Sequence, residues 1–294
     1  IEIAAGENAR LGLRLVAAGE GQGNGEGQGG GEGYVGRLRL TLGAGASLVL
    51  LQTHEALTGG YLAQTDLEIV LGPGARLERL VLVADAADAV AVTLSHVHLA
   101  EGATFVETVL TTGARRQRLE TRLTHAARHS AATLSGLYRL AGRRHADLTS
   151  LIRHEAPQAR TDQLVRGVVD DQARGVFQGR ILVQPGADGT DSRMGHHALI
   201  LSDRAEVDAK PELEIYADDV SCAHGATVGA LDAEALFYAR QRGLSEAEAR
   251  ALLSDAFLGA VLDRIVDPEL EAVGRAWLEA AVSPEVGPGA ETLA

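Results

Sequence analysis

The sequence predicts an all-β core, a right-handed parallel β-helix (β-solenoid), followed by a small C-terminal α-helical segment. Three observations support this prediction: a recurring turn motif, period-two alternation between the turns, and helical periodicity after about residue 231. The composition agrees, because 35 glycines and only 3% aromatic residues favour small side chains packed between close backbones. We therefore assign residues 1–230 to the β-helix core and residues 231–294 to the helical segment.

The recurring unit is a turn with Gly or another small polar residue, then Ala, then alternating apolar residues. Its clearest copies place alanine at Ala46, Ala75 and Ala103, roughly 28 to 29 residues apart. A repeat of this length is typical of stacked turns, and glycine allows the chain to turn tightly at each corner. A β-sandwich is the structural alternative. Hairpin dipeptides are rare, Asp188-Gly189 being the conspicuous one, so the pattern favours the solenoid.

Strands and one unusual loop fill the space between the turns. Residues 94–99 and 212–216 alternate apolar and polar side chains, as half-buried strands do. Residues 19–33 read GEGQGNGEGQGGGEG and offer no side chains with which to form a core. This stretch is predicted to be a flexible loop between two strands.

The helical segment is predicted from capping residues and an apolar stripe. Helix boundaries are indicated by a cap at Asp232 with a stop at Gly243, a capping box from Ser245 to Glu248, and a start at Asp267-Pro268. The stripe has four-residue spacing and consists of Leu253, Phe257, Val261 and Ile265. We expect it to pack on the end of the solenoid and cap the exposed strand edges. Part of the same face could dock a partner.

Charge and hydropathy exclude several classes of function. A net charge of −13 disfavours nucleic acid, because binding phosphates requires clustered Lys and Arg. The sequence contains no run of about 18 apolar residues and no signal-peptide pattern, which predicts a cytoplasmic protein without a membrane span. The first residue is Ile rather than Met, so something upstream is expected to have been removed or omitted.

Cys222 and His224 are the residues best suited to bind a metal. Their spacing places both side chains on one face of a strand, about 6.6 Å apart along the backbone. Thiolate and imidazole are ligands for zinc, copper or an iron-sulfur cluster, but two ligands do not complete a site that requires four. The alternative makes Cys222 a small buried hydrophobe and His224 a turn residue before Gly225. Spacing alone favours that alternative.

The remaining sequence provides no argument for an enzyme. The other histidines, taken singly, are more often surface or structural residues than ligands; they include His96, His98, His125, His129, His196 and His197. The sequence contains no Gly-x-x-x-x-Gly-Lys phosphate loop, no Gly-x-Ser-x-Gly elbow and no His-Glu-x-x-His helix. We expect a protein without catalytic residues.

Several segments resemble the SufB/SufD family of iron-sulfur cluster assembly proteins. The longest is Lys210–Gly229, KPELEIYADDVSCAHGATVG, and the resemblance continues through Ala235–Gly243. Earlier blocks are His154–Pro157 and Ala173–Gly179, so the similarity is strong from about residue 150 to residue 265. The pentapeptide from Cys222 to Ala226 resembles the SufD type rather than the SufB type. From the resemblance we expect the family's N-terminal helical region to be missing from the sequence as it stands.

The resemblance implies a non-enzymatic scaffold subunit of the SUF system. It would pair with a SufB homologue and bind the ABC-type ATPase SufC through its C-terminal segment. A homodimer is possible when the partner is absent, because the pairing edge is self-similar. Cys222 and His224 would lie at the SufB interface and hold a transient iron-sulfur cluster or iron shared with SufB. The isolated chain would bind no cluster tightly. The alternatives are a structural β-solenoid without a ligand and a β-helix carbohydrate-active protein. The chain has only one Trp, five Tyr and four Phe, so it is poorly equipped with the aromatic platforms that a carbohydrate-active protein needs.

Overall fold

The computed structural model describes residues 1–19 and 33–281. Within these residues the chain winds into a solenoid of about seven turns, built from two parallel β-sheets. This confirms the predicted all-β parallel solenoid and rules out the sandwich alternative. The predicted flexible loop over 19–33 lies, apart from its two end residues, outside the described residues.

The two sheets alternate along the chain, so that each turn contributes one strand to each sheet. Sheet A contains β1 (Glu2–Ile3), β3 (Gly33–Leu42), β5 (Leu62–Leu71), β7 (Val90–Leu99), β9 (Arg116–His125), β11 (His145–His154), β13 (Arg174–Val183) and β15 (Glu206–Ile215). Sheet B contains β2 (Asn8–Ala17), β4 (Ser47–Ala56), β6 (Arg76–Ala84), β8 (Thr104–Thr111), β10 (Ala131–Leu140), β12 (Arg160–Val169), β14 (Thr190–Ile200) and β16 (Val220–Gly229).

The predicted turn motif forms the corners of the solenoid. Gly74 and Gly102 have φ angles of 65° and 64°, a left-handed conformation that glycine adopts without steric cost. The alanines that follow, Ala75 and Ala103, are completely buried between successive turns. The repeat in the sequence therefore corresponds to one turn of the solenoid.

The interior between the sheets is filled mainly by aliphatic side chains, with a few large rings. Tyr138 is the largest fully buried residue, and its ring lies against the backbones of Gly167 and Gly175. A Cβ atom built on Gly167 would lie 1.9 Å from the Tyr138 ring, and one built on Gly175 would lie 2.5 Å from it. These two glycines therefore leave the space that the tyrosine occupies.

We expect Gly167→Ala to destabilise the protein by about 3 kcal/mol, because the added methyl group overlaps the Tyr138 ring and the core must shift to accommodate it. Gly12→Ala is a matched control, since a Cβ at this strand position meets no atom within 4 Å. Urea unfolding followed by circular dichroism measures both effects. Equal stability of the two variants would contradict the packing described for Tyr138.

Three helices follow the solenoid, and their capping residues agree with the sequence prediction. They are α1 (Ala233–Gln241), α2 (Glu246–Leu262) and α3 (Pro268–Ala280). Asp232 caps α1, Ser245 and Glu248 form a capping box at α2, and Asp267 caps α3. The part of the predicted helical segment from residue 282 onward lies outside the described residues.

The predicted placement of the apolar stripe is wrong: α2 and α3 pack on the outer face of sheet B, not on the end of the solenoid. Contacts join α2 to β10 and β12, and α3 to β6. The reason is a second apolar surface on that face of the sheet, which a helix must cover to remove it from water. Its buried members are Leu80, Leu82, Leu110, Leu137 and Val168, packed against Leu258, Val261, Leu262, Ile265, Leu270, Trp277 and Leu278.

Polar contacts hold the helices against this face. The Arg166 guanidinium lies 4.8 Å from the centre of the Phe257 ring and donates to the Phe257 carbonyl at 2.6 Å. The Glu78 carboxylate accepts the backbone N–H groups of Val266 and Asp267 at 2.6 and 2.9 Å. The main contacts of α2 and α3 are therefore with β6, β10 and β12 rather than with the last turn.

Candidate functional site at the open end of the solenoid

Cys222 and His224 both lie within β16, on the face that continues the interior of the solenoid. In the parallel register Cys222 is opposite Ser192 of β14, and His224 is opposite Met194. Ser192 and Met194 both point into the core, so their partners share that direction. The alternative that made His224 a turn residue is therefore wrong, because His224 lies in the middle of a ten-residue strand.

The two residues are accessible because β16 is the outermost strand of sheet B. It pairs with β14 on one side and with none of the described strands on the other. Ser192 and Met194 are 0% and 3% exposed, whereas Cys222 is half-buried and His224 is exposed. Positions that are buried in the preceding turn are thus accessible to solvent in the last turn.

A stack of rings lies beneath this open end. His196 is fully buried on β14, and its imidazole stacks on Phe177 of β13 with a 4.8 Å separation and a 4° interplanar angle. Its Nε2 atom is 2.9 Å from the hydroxyl of Tyr138, two sheet neighbours away on β10. The strand next to β16 is therefore anchored by buried ring contacts of His196.

The protein environment does not activate the Cys222 thiol. Partial burial raises the pKa of Cys222, as does the nearby Asp191, while the backbone N–H of Ser192 opposes the shift. The thiol is therefore protonated at neutral pH, and forming the thiolate that binds metals requires an additional positive charge such as a metal ion.

Two groups of this site could bind a metal, Cys222 Sγ and an imidazole nitrogen of His224. Within residues 1–19 and 33–281 no group of three or more His, Cys, Asp or Glu side chains is arranged to hold a metal ion. The arrangement is chemically suited to complete a ligand set together with groups from another chain.

Two other histidines, His125 and His154, form a buried structural pair. The His125 and His154 rings stack at 4.4 Å. Ser130 donates to the Ala127 carbonyl, so it accepts from His125 Nδ1, which leaves His125 Nε2 to accept from Thr161. The Thr161 oxygen in turn accepts from His154 Nε2. The network is consistent with two neutral imidazoles.

The other histidines named in the sequence analysis do not cluster with Cys222 and His224. His96 and His98 point outward from β7, and His129 occupies a turn with a φ of 61°. His196 and His197 point to opposite faces of β14, as expected for an extended strand, and His197 Nδ1 lies 2.7 Å from the Thr227 hydroxyl. None of these residues joins Cys222 and His224 in a ligand set in the described structure.

Stability should fall as the pH is lowered from about 6.5 to 4. Burial lowers the pKa of His54, His154 and His196 to about 4, whereas an unfolded histidine titrates near 6.5. Within that range the unfolded chain binds more protons than the folded one, so each residue costs about 1 kcal/mol per pH unit. Urea unfolding at pH 7, 6 and 5 measures the slope. A free energy of unfolding independent of pH over this range would contradict the buried, neutral state of these imidazoles.

The fold and the site together define a parallel β-solenoid with Cys222 and His224 on one strand face at its open end. The family model described as "SUF system FeS cluster assembly, SufBD core domain" matches residues 24–257. The chain belongs to the SufBD family, which confirms the resemblance noted in the sequence. The SufD type is supported by similarity to the SufD protein of Escherichia coli, which is 40% identical over 125 residues, 42% of this chain and 30% of that protein.

Other relatives agree with this family. An iron-sulfur cluster assembly SufBD family protein of Synechocystis is 35% identical over 198 residues, 67% of this chain and 44% of its own length. One from Mycobacterium leprae is 30% identical over 230 residues, 75% of this chain and 57% of its own. The chain thus spans between 30% and 57% of the length of these three relatives.

Proposed function

We propose that this chain is a non-catalytic scaffold subunit of the SUF system that assembles nascent iron-sulfur clusters together with a SufB-type partner. The observation that supports this most strongly is the position of Cys222 and His224 on one face of β16, an edge strand that has no neighbour among the described strands on its outer side. In this proposal the two residues hold a transient cluster, or iron, that the partner shares. The isolated chain binds none tightly, because it provides only two of about four ligands.

The partner is proposed to dock on the last turn of the solenoid, and β16 is the more suitable of its two edge strands. An exposed edge strand is a template for strand addition unless charged residues or proline protect it. β15 has such protection in Lys210, Pro211, Glu212 and Glu214. β16 reads VSCAHGATVG and has no Asp, Glu, Lys, Arg or Pro. Strand addition along β16 would place groups of the partner next to Cys222 and His224.

Hydrogen exchange tests this docking mode. When a SufB homologue is added, amides of β16 that point to the open edge should exchange more slowly, because they gain backbone acceptors. The amides of β1 and β2, at the opposite end of the solenoid, serve as the internal control. If the two chains pair and hydrogen exchange along β16 is unchanged, the interface does not involve β16. Failure to co-purify with a SufB homologue would contradict the proposed function as a whole.

Binding of the SufC ATPase is proposed to use α1. The apolar faces of α2 and α3 are occupied by sheet B, whereas Phe237 and Tyr238 on α1 are 65% and 61% exposed. Aromatic side chains exposed on a short, well-capped helix are typical anchors for a hydrophobic groove on a partner. Deleting the whole helical segment would also uncover the apolar face of sheet B, so point substitutions are the cleaner test.

Phe237→Asp is expected to weaken binding of the SufC homologue at least tenfold, because an anchor at the centre of an interface contributes about 2 kcal/mol or more. Thermal unfolding should be unchanged, since the side chain is largely exposed. Val35→Asp, at a 71% exposed position on β3, is the matched control. Surface plasmon resonance with immobilised SufC measures the affinities. Equal binding by both variants would remove α1 from the interface.

The other functions considered from the sequence have less support. A carbohydrate-active β-helix protein finds no support, because the chain is similar to iron-sulfur cluster assembly proteins. A structural solenoid without a ligand would bind neither a SufB nor a SufC homologue, and the experiments above would reveal it. The cytoplasm stays a predicted location, and one relative, from Arabidopsis, is named chloroplastic. None of the helices described is long and apolar enough to cross a membrane.

A further inference from the structure

A cavity of about 40 Å³ lies in the middle turns of the solenoid, lined by residues of β8 to β12. It borders Gly136 of β10, an inward position where the Leu148 side chain packs so close to the backbone that a Cβ atom would lie 2.9 Å from it. Its wall combines aliphatic and polar groups. The aliphatic residues are Val109, Leu119, Leu134, Leu148 and Val165, and the polar side chains are Glu107, Thr121, Ser150 and Gln163.

The polar residues of the wall form two separate groups. Glu107 accepts from Arg79 at 2.6 Å and from Thr121 at 3.1 Å, so its charge is paired inside the core. Ser150 donates to Gln163 Oε1 at 2.9 Å. Glu107 and Gln163 flank Leu134 on neighbouring strands of sheet B, so their backbones are about 9.6 Å apart, two strand spacings.

Both groups retain hydrogen-bonding capacity toward the cavity. The amide nitrogen of Gln163 has no hydrogen-bond partner among the described residues, although the residue is only 7% exposed. The carboxylate of Glu107 has four acceptor sites, of which Arg79 and Thr121 use two. A donor on one wall and acceptors on the other thus face a shared space.

We propose that this cavity is a binding site for internal water, which links the Glu107 carboxylate to the Gln163 carboxamide. A water needs about 10 to 15 Å³ of such volume, so there is room for about three molecules. The charge of Glu107 is balanced by Arg79, which disfavours an ion as the occupant. An apolar ligand would leave the carboxamide without a partner. Water can form a hydrogen bond with the Gln163 amide in either orientation of the amide, because water both donates and accepts.

Bound water would also explain how the interior tolerates polar side chains in this layer. The two polar groups lie on opposite sides of a turn made of Leu134 and Gly136, with no direct hydrogen bond between them. Bridging waters join them into one network across the stacked turns. Buried waters that satisfy three or so polar groups are costly to remove, so this site should be occupied permanently.

A high-resolution crystal structure of the unsubstituted protein tests the site directly. We expect ordered solvent peaks within hydrogen-bond distance of Glu107 and Gln163, and no xenon in the cavity after pressurisation, because polar cavities remain hydrated whereas dry apolar ones bind xenon. Xenon in the cavity, or the absence of solvent peaks there, would overturn the proposal.

Oxygen-17 relaxation dispersion in solution gives an independent measurement. Gln163→Leu should lose the contribution of at least one long-lived water, because the bridge loses one of its ends. Gln178→Leu, on the outer face of β13, is the matched control and should keep the full contribution. An unchanged contribution in folded Gln163→Leu protein would contradict the site. If that variant does not fold, the crystallographic test still decides.

Discussion

A scaffold pair in which this chain has both Cys222→Ser and His224→Ala is expected to take up at least about tenfold less iron-sulfur cluster than the unsubstituted pair. Removing both ligands from one side leaves the partner with an incomplete set, and even the loss of groups that only support ligands costs tenfold or more in metal affinity. Anaerobic reconstitution with iron and sulfide, followed by visible absorption, measures the uptake.

The controls separate ligation from folding. Ser221→Ala alters an exposed residue on the opposite face of the same strand and should leave uptake unchanged. The double variant should keep its unfolding midpoint, because His224 is exposed and Cys222 only half-buried. A loss of stability beyond about 2 kcal/mol with normal uptake would instead support a structural role for the two residues.

The largest effect on stability is expected from Glu107→Ala, about 3–5 kcal/mol, because it leaves the Arg79 guanidinium charged and unpaired in the core. Arg79 and Glu107 are 2% and 5% exposed at a separation of 2.6 Å. Burial lowers the pKa of Arg79, and Glu107 acts against that shift. Urea unfolding measures the difference in the free energy of unfolding.

Two further variants make this expectation specific to the buried pair. Glu68→Ala removes an exposed partner 3.6 Å from Arg39 and should cost under about 1 kcal/mol. Arg79→Met combined with Glu107→Leu removes both charges at similar volume and should recover most of the loss. A Glu107→Ala protein as stable as Glu68→Ala would contradict the buried position of the pair.

Much of the fold was predictable because its information is local. The turn motif around Ala75 and Ala103 repeats at the length of one solenoid turn, and the helix caps at Asp232 and Asp267 are readable from a few neighbouring residues. The pairing of Cys222 and His224 on one strand face was also predictable, since it depends only on period-two alternation. These features depend on residues close together in the chain.

The errors arose where distant residues decide the structure. The helices were expected on the end of the solenoid, but the apolar outer face of sheet B is assembled from strands about 28 residues apart, and each contributes only one or two side chains, such as Leu110 or Leu137. The interior ion pair of Arg79 and Glu107 was missed for the same reason. The signal that could have revealed it was period-two alternation, which places Arg79 and Glu107 at inward-facing positions of their strands.

The most direct test of the central claim compares three samples in anaerobic reconstitution with iron and sulfide: this chain alone, the SufB homologue alone, and the co-purified pair. The claim is that the site at the open end is shared between two chains. We predict that this chain alone remains colourless, and that the pair takes up more cluster than its two components measured separately. A stable, full cluster on the lone chain, or a pair that binds no more than the sum of its components, would contradict it.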